Sequence, residues 1–143
     1  MPVRSRREAL RYREKQKDGT INTDCVFCKL HPEESSYLDE TKSFMLVRNI
    51  FAYSTWDSQD VEDHIMVVPK KHIESLSVLS ASEAVEFVGL IGSYESRGYN
   101  VYARAPNSAI KTIIHQHTHL IKAGKKRHRF IFYLRRPYIR LVR

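Results

Sequence analysis

The sequence predicts an α+β domain in which a mostly antiparallel sheet packs against one main helix. Residues 113–121, IIHQHTHLI, place three histidines at alternate positions, a spacing that puts their side chains on one face of a strand. Residues 64–69, HIMVVP, form an apolar run of strand length that ends in a proline. Between these two, residues 80–96, SASEAVEFVGLIGSYES, have the apolar spacing of an amphipathic helix. A chain of 143 residues is one domain by length.

The remaining elements follow from local composition. Strands are expected where apolar or aromatic residues cluster or alternate, at 43–54, 99–105 and, as an extra strand near the end, 129–134. Turns and loops are expected where proline, serine and charged residues cluster, at 25–36, 56–63 and 106–111. The helix should have Ser80 or Ser82 as its cap. Its buried side should consist of Ala84, Val85, Val88, Ile91 and Gly92.

Charge is unevenly distributed along the chain. Residues 1–17 carry seven Lys and Arg against two acids, a net charge of +5, and residues 122–143 carry nine and no acid, a net charge of +9. Residues 18–121 hold eight basic and fourteen acidic residues, a net charge of −6. We therefore divide the chain into a basic N-terminal arm (1–17), a central domain (18–121) and a basic C-terminal extension (122–143). The arm is either a basic helix or disordered, and both ends either bind nucleic acid or are simply solvated.

The sequence also predicts the compartment and the state of the cysteines. It has no run of 18 apolar residues, and its start lacks the apolar segment of a secretory signal, so we expect a cytoplasmic protein without contact to membranes. In that reducing compartment Cys25 and Cys28 should be thiols. Their C-x-x-C spacing has three interpretations, namely a redox pair, half of a metal site, or two buried apolar residues.

Three imidazoles on one strand face indicate chemistry. Clustered histidines repel one another when they protonate, whereas metal binding and proton or phosphoryl transfer make use of them. Neutral imidazole is a nucleophile near pH 7, and its phosphoramidate is labile enough to be hydrolysed. A histidine can therefore divide one phosphoryl transfer into two easier steps. Positioning and charge stabilisation, the main needs of phosphoryl transfer, suit the same set of residues.

Three motifs in this order carry a family resemblance: C-V-F-C at 25–28, H-I-M-V-V-P-K-K-H at 64–72 and H-Q-H-T-H at 115–119. Over roughly residues 25–121 the sequence resembles the histidine triad (HIT) superfamily of nucleotide hydrolases and transferases. The resemblance implies a compact HIT-like α+β fold, commonly completed by a symmetric homodimer. It also implies attack on the α-phosphate of a nucleotide.

The sequence departs from the common family pattern at three places. Asp63 stands where many members have a glycine, and Lys111 stands where a glutamine is common. The segment 49–64 is longer than the corresponding connection of the small hydrolases. Contacts to the ribose and the base are therefore the part of the site that the resemblance predicts least well.

The resemblance implies roles for individual residues. His117 would be the nucleophile, and His119 and His64 would donate to the phosphate oxygens. Residues implied or suggested to bind the substrate are Thr112 through its hydroxyl, Lys111 through its charge on a leaving phosphate, Asn49 at the ribose, and Phe44 beside the base, although core packing explains Phe44 equally well. A structural zinc ion, not needed for the chemistry, would be held by Cys25, Cys28, His72 and His115.

Taken together, these features predict a nucleotide hydrolase or nucleotidyl transferase that acts at the α-phosphate of a purine nucleotide through a nucleotidyl-histidine intermediate. A phosphoramidase and a dinucleoside polyphosphate hydrolase are both compatible with the motifs. One alternative is a nucleic-acid-binding HIT-like protein that acts on adenylylated ends. Another is a zinc-stabilised binding module without catalysis.

Overall fold

A computed structural model of the chain describes residues 25–128 together with the backbone of 130–132 and 139–141. In the N-terminal arm it describes residues 10, 11 and 14, which are helical; the other predictions for the arm lie outside the described residues. In the part of the chain that is described, no helix combines the length and the apolar character needed to cross a bilayer.

The main sheet has six strands and is antiparallel throughout. The strands are β1 (Tyr37–Glu40), β2 (Phe44–Arg48), β3 (Thr55–Trp56), β4 (Gln59–Pro69), β5 (Tyr99–Ala103) and β6 (Thr118–Arg127). Their order is β1-β2-β4-β6-β5, and β3 pairs with β4. Helix α1 (Ala81–Glu95) connects the central strands to β5, after a short 3-10 turn at Leu76–Val78. Strands β7 (Phe130–Phe132) and β8 (Ile139–Leu141) form a separate pair. The predicted α+β class is confirmed.

The two faces of the sheet have different partners, because alternate residues of a strand point to opposite faces and cross-strand partners share a face. The buried residues on the helix side are Phe44, Leu46, Ile65, Val67, Phe87, Tyr99 and Leu120. The buried apolar cluster on the other side contains Phe27, Met45, Val47, Met66 and Val68. His64 and His119 alternate with helix-side residues, and His119 is the cross-strand partner of Met66. Both histidines therefore lie on the face away from the helix.

Helix α1 begins with a capping box. The Ser80 hydroxyl accepts from the Glu83 backbone N–H at 3.3 Å, and the Glu83 carboxylate accepts from the Ser80 backbone N–H at 2.8 Å. These two bonds satisfy backbone donors that the first helical turn leaves without partners. The structure thus selects Ser80 over Ser82 as the cap.

The buried side of α1 differs from the prediction. Phe87 is buried, and Leu90, Ile91 and Tyr94 pack against the core beside it. Val85 and Val88 are 75% and 63% exposed, so their predicted burial is wrong. At about 100° per residue, the two valines lie about 160° and 100° around the helix from Phe87. The larger aromatic side chain determines which side faces the sheet.

The predicted loop at 56–63 is wrong, because this segment is a β-hairpin. Trp56 pairs with Gln59 across a two-residue turn in which Asp57 and Ser58 have φ of 46° and 64°. Positive φ at both central residues is the turn geometry that matches the twist of paired strands, and Asp tolerates it better than most residues. The polar residues that suggested a loop instead form the first half of β4, where the hairpin is half-buried.

The histidine strand also begins later than predicted. Strand β6 starts at Thr118 and continues to Arg127, whereas His115 and His117 lie in the irregular segment before it, which bends at His115. The ladder with β4 ends at the pair Val67 and Thr118. Just before that point the Gln116 N–H donates to the Ile73 carbonyl at 2.7 Å, so the segment is held by the residues that follow β4.

Candidate active site and metal centre

His64 and His119 form a hydrogen-bonded pair whose tautomers follow from their neighbours. The Tyr53 backbone N–H donates to His64 Nδ1 at 3.1 Å, so Nδ1 accepts and the His64 proton is on Nε2. His64 Nε2 lies 2.9 Å from His119 Nδ1 and donates to it. In neutral His119 the proton is then on Nε2. The pair thus provides one imidazole N–H donor at His119 Nε2, the ring nitrogen that is not bonded to His64.

His117 is oriented by the backbone. It is 9% exposed, and its Nδ1–H donates to the His115 carbonyl at 2.9 Å, which leaves the lone pair on Nε2. Burial lowers the pKa of His117; the bond to the His115 carbonyl opposes this effect, and the charges of Lys111 and Arg104 lower the pKa further. The ring centroids of His117 and His119 are 5.0 Å apart at 83°. A neutral imidazole with an available lone pair therefore lies beside an imidazole donor.

Asn49, predicted to contact a ribose, lies next to His64. Its side-chain oxygen accepts from the Phe51 backbone N–H at 3.0 Å, and its Nδ2 lies 3.2 Å from His64 Nε2. The residue is 9% exposed. The structure therefore brings Asn49 to the histidine face, with its amide oxygen already bonded within the turn after β2.

The other three substrate-binding candidates occupy different surroundings. Lys111 Nζ donates to the Glu74 carbonyl at 3.1 Å and to Gln116 Oε1 at 3.2 Å. Thr112 is exposed on the segment that leads into the histidines. Phe44 is 1% exposed on the helix side, with its ring centroid 5.5 Å from that of Phe87. The structure does not bring Phe44 to the histidines, because the sheet separates them.

Three aromatic residues that the sequence analysis did not select join the histidines. Trp56 lies in the β3–β4 hairpin, and Tyr53 lies in the segment just before β3. Tyr102 is the cross-strand partner of His119. Centroid distances link successive rings: His64 to Tyr53, 4.7 Å; Tyr53 to Trp56, 6.3 Å; Trp56 to Tyr102, 5.0 Å; Tyr102 to His119, 5.7 Å; and His119 to His64, 5.0 Å. We call this closed set the aromatic ring cluster. The alternation in YNVYARA indicated a strand, but the pairing of Tyr102 with His119 depends on a register between distant segments.

The four predicted metal ligands converge on one point. Their ligand atoms, from Cys25, Cys28, His72 and His115, all lie within 4.8 Å of one another. Cys25 Sγ is 3.2 Å from His115 Nδ1, and Cys28 Sγ is 3.2 Å from His72 Nδ1 and 3.5 Å from His115 Nδ1. Tetrahedral zinc with ordinary bond lengths separates sulfur and nitrogen ligands by about 3.5 Å. The cluster could hold a metal ion.

Two further observations bear on the metal interpretation. His115 is fully buried, and its Nε2–H donates to the Pro69 carbonyl at 2.9 Å, so Nδ1 has the lone pair that a metal ligand needs.

Loss of hydration raises the pKa of the Cys28 thiol, and Cys25 raises it further. Reactive redox cysteines have a lowered pKa and commonly begin a helix, whereas residues 26–29 form a turn. The surroundings favour a metal site over a redox pair.

Known structures resemble the chain over most of its length. A histidine triad protein from Clostridium difficile is 25% identical, with a TM-score of 0.50, and the match covers 73% of this chain and 94% of that chain. HIT family hydrolases from Clostridium thermocellum and Legionella pneumophila are 20% and 18% identical, with TM-scores of 0.53 and 0.51. These matches cover 72% and 73% of this chain and 93% and 95% of theirs. No protein-family model matches the sequence.

The fold is therefore that of the histidine triad proteins, as the three motifs predicted. In its fold and in these motifs the chain is similar to a histidine triad protein. The motifs that suggested the resemblance lie in the C-x-x-C turn, in the apolar half of β4 with the P-K-K-H sequence after it, and in the histidine segment before and within β6.

Proposed function

We propose that the protein is a nucleotide hydrolase or nucleotidyl transferase that acts at an α-phosphate through a covalent intermediate on His117. The observation that supports this most directly is the hydrogen-bond geometry around the two rings, from which their tautomers follow. His117 has its lone pair on Nε2, and the adjacent His119 has an Nε2–H donor. A nucleophile beside a donor is what attack on a phosphate requires. Two of the structural neighbours are described as HIT family hydrolases.

In the first step the lone pair of His117 Nε2 attacks the α-phosphorus. A P–N bond forms, and the bond to the leaving group breaks with its electron pair moving to that group. The His117 Nδ1–H keeps its bond to the His115 carbonyl, which holds the ring in line as positive charge develops. His119 Nε2–H stabilises negative charge on the phosphate oxygens, and His64 holds His119 in the required tautomer.

In the second step water, or another acceptor in the case of transfer, attacks the same phosphorus. The P–N bond breaks, the electron pair returns to His117 Nε2, and one proton goes to solvent. Because burial and nearby cations disfavour protonation of His117, the nucleophile is neutral again at the end of the cycle. No redox change occurs in either step.

We also propose that the metal is a structural zinc ion held by Cys25, Cys28, His72 and His115. Two thiolates and two imidazoles form a closed zinc site without an open position, and such an ion contributes to folding rather than to chemistry. With the metal bound, these four ligands would hold the turn at 25–30 in place and fix the orientation of the His115 ring. Since the His115 carbonyl orients His117, one of the four ligands and the proposed nucleophile belong to the same short segment.

The proposed intermediate can be tested directly. The protein is mixed with an adenosine 5′-phosphoramidate, quenched within one turnover, and digested for mass spectrometry. A nucleotidyl adduct is expected on the peptide that contains His117, and it should be absent in His117→Ala. His31→Ala is a matched control, because His31 is exposed and belongs to no part of the site. Turnover of the phosphoramidate by His117→Ala at the wild-type rate would contradict the proposal.

A further inference from the structure

Lys111 is half-buried, and its ammonium binds to the protein itself. Its Nζ donates to the Glu74 carbonyl oxygen at 3.1 Å and to Gln116 Oε1 at 3.2 Å. Within residues 25–128, no carboxylate forms an ion pair with it. Loss of hydration lowers the pKa of Lys111, and the charge of Glu74 opposes this effect. The ammonium is therefore partly removed from water and bound to two neutral oxygen atoms.

The two acceptors of Lys111 belong to two segments that are joined a second time nearby. Glu74 follows Ile73 in the loop after β4, and the Gln116 backbone N–H donates to the Ile73 carbonyl at 2.7 Å. Gln116 is 2% exposed and directly precedes His117. Consecutive carbonyls of the loop thus accept from Gln116 and from Lys111, and Lys111 also bonds the Gln116 side chain. We call these three hydrogen bonds the Lys111 clamp.

One peptide unit connects the Lys111 clamp to the proposed nucleophile. The Gln116 N–H and the His115 C=O belong to the same trans peptide, which is planar, so fixing the direction of one group fixes the other. The N–H donates to the Ile73 carbonyl, and the C=O accepts from His117 Nδ1–H at 2.9 Å. The bond that orients His117 therefore depends on how this peptide is held against the loop after β4.

We propose that Lys111 is a positioning residue for His117: its ammonium ties the Glu74 carbonyl to the Gln116 side chain and so holds the 115–116 peptide, whose carbonyl orients the His117 ring. The inference rests on the function proposed above, because it takes His117 as the nucleophile. It gives Lys111 a role within the protein and not at a leaving phosphate. A displacement of about 1 Å in a reacting group can lower a rate about a hundredfold, so loss of the clamp should affect the chemical step more than binding.

A positioning lysine and a lysine at the leaving group differ in their dependence on substrate. When a phosphate leaves, the P–O bond breaks, the oxygen keeps the electron pair, and a nearby ammonium stabilises the resulting anion. When an amine leaves, the P–N bond breaks and the nitrogen takes up a proton from solvent, so the ammonium has no such effect. A positioning lysine affects both reactions equally, since both begin with attack by His117. Diadenosine triphosphate and adenosine 5′-phosphoramidate provide the two kinds of leaving group on the same adenosine α-phosphate.

The kinetic test uses variants that remove one partner of the clamp at a time. Lys111→Met keeps most of the aliphatic chain and removes the donors, so it should lower kcat about tenfold on both substrates and change KM by less than about threefold. Gln116→Leu should lower kcat to a similar extent. The double variant should lose little more than either single variant, because both changes break the same bond. Lys42→Met is the matched control and should behave as wild type, because Lys42 is exposed between β1 and β2.

A spectroscopic measurement tests the clamp without using activity. Among the four buried histidines, His117 has its proton on Nδ1, whereas His64, His115 and His119 have theirs on Nε2. Long-range proton–nitrogen NMR of protein labelled with nitrogen-15 in histidine distinguishes the two tautomers at about pH 8, above the ordinary pKa of imidazole. Lys111→Met should shift part of the His117 population to the Nε2–H tautomer, and the control variant should not.

A loss confined to diadenosine triphosphate would overturn the proposal and assign Lys111 to the leaving phosphate. An unchanged His117 tautomer in Lys111→Met, or additive losses in the double variant, would overturn it as well. If wild type turns over neither substrate, the function proposed above fails, and the tautomer measurement still decides whether Lys111 positions His117. Circular dichroism and melting temperatures identify variants that do not fold, and Lys111→Ala replaces Lys111→Met in that case.

Discussion

His64 Nε2 and His119 Nδ1 lie 2.9 Å apart, and this contact determines which nitrogen of His119 has the proton. Because the Tyr53 N–H donates to His64 Nδ1 at 3.1 Å, neutral His64 has its proton on Nε2. Without the His64 donor, His119 could carry its proton on Nδ1 and lose the Nε2–H donor that the proposed mechanism uses. In the proposed mechanism His64 is therefore a positioning residue, which acts on the reaction through His119.

We therefore expect His64→Leu to lower kcat about tenfold, with a smaller change in KM. His64→Gln should recover part of the loss, because its amide N–H can donate to His119 Nδ1. The measurement is steady-state hydrolysis of an adenosine phosphoramidate, with His31→Leu as the control. If His64→Leu and His64→Gln are equally impaired, the tautomer argument is wrong and His64 acts through packing.

The nucleophile and the donor should differ in the size of their effects. His117→Ala removes the proposed nucleophilic atom, so kcat/KM should fall by more than about a hundredfold. His119→Ala removes one hydrogen bond to a charged group, so the loss should be about tenfold to a hundredfold. Melting temperatures close to wild type would show that both variants fold. A greater loss for His119→Ala than for His117→Ala would argue against a covalent histidine.

The zinc proposal predicts a stoichiometry and a dependence of stability on metal. Protein purified without chelators should contain about one equivalent of zinc per chain, since four ligand atoms converge within 4.8 Å. Cys25→Ser should lower both the zinc content and the melting temperature, and a chelator should do the same to wild type but not to Cys25→Ser. His31→Gln, three residues beyond Cys28 and exposed, should behave as wild type. Less than about half an equivalent, with unchanged stability in Cys25→Ser, would reject the site.

Glu86 connects helix α1 to the turn before β2, and its carboxylate makes the stability depend on pH. Hydrogen bonds from the Thr41 hydroxyl and from Ser43, through its hydroxyl and its backbone N–H, lower the pKa of Glu86 from 4.5 to about 2. Because the folded pKa is the lower one, the carboxylate stabilises the fold above about pH 4.5 and loses this contribution as the pH falls to about 2.

Glu86→Gln should therefore have a lower melting temperature than wild type at pH 7, and the difference should shrink between pH 4.5 and about pH 2. Glu95→Gln, at the exposed end of the same helix, is the control and should match wild type at every pH. Urea unfolding at several pH values measures both. A difference that stays constant from pH 7 to pH 2 would contradict the role of the charge.

Local patterns predicted the elements that depend on local physics. The apolar run of β4, the Ser80 cap and the alternation of β5 are all recognisable within a few residues, because capping and pleating act over that range. The C-x-x-C turn and the P-K-K-H sequence, with the family resemblance, predicted a metal cluster whose four members lie up to 90 residues apart. The resemblance was needed there, since no local rule connects Cys25 to His115.

Two of the features that the sequence did not predict depend on contacts between distant segments, and one depends on a local turn. Val85 and Val88 fit a helical stripe, but the sheet selects the side that contains Phe87. The residues around Trp56 are polar enough for a loop, but positive φ at Asp57 and Ser58 closes a tight turn that pairs β3 with the start of β4. Tyr102 and Arg104 reach the histidines through the register of β5 on β6, which is a tertiary property that a single sequence does not display.

The basic C-terminal extension leads to a last prediction, about nucleic acid. Lys125, Lys126 and Arg127 are consecutive, exposed residues at the end of β6, the strand that also contains His119. If this stretch binds a phosphate backbone, affinity for a single-stranded oligonucleotide should fall steeply with salt, because bound phosphates release counterions. Replacing these three residues with glutamine should reduce the slope of log affinity against log salt by about 2, at roughly 0.7 per phosphate contact on a single strand. The control is a second triple variant that removes the same charge elsewhere on the protein, Lys29→Gln with Lys42→Gln and Lys70→Gln. Binding that does not depend on salt, or an equal loss in both triple variants, would exclude a nucleic-acid site at the end of β6.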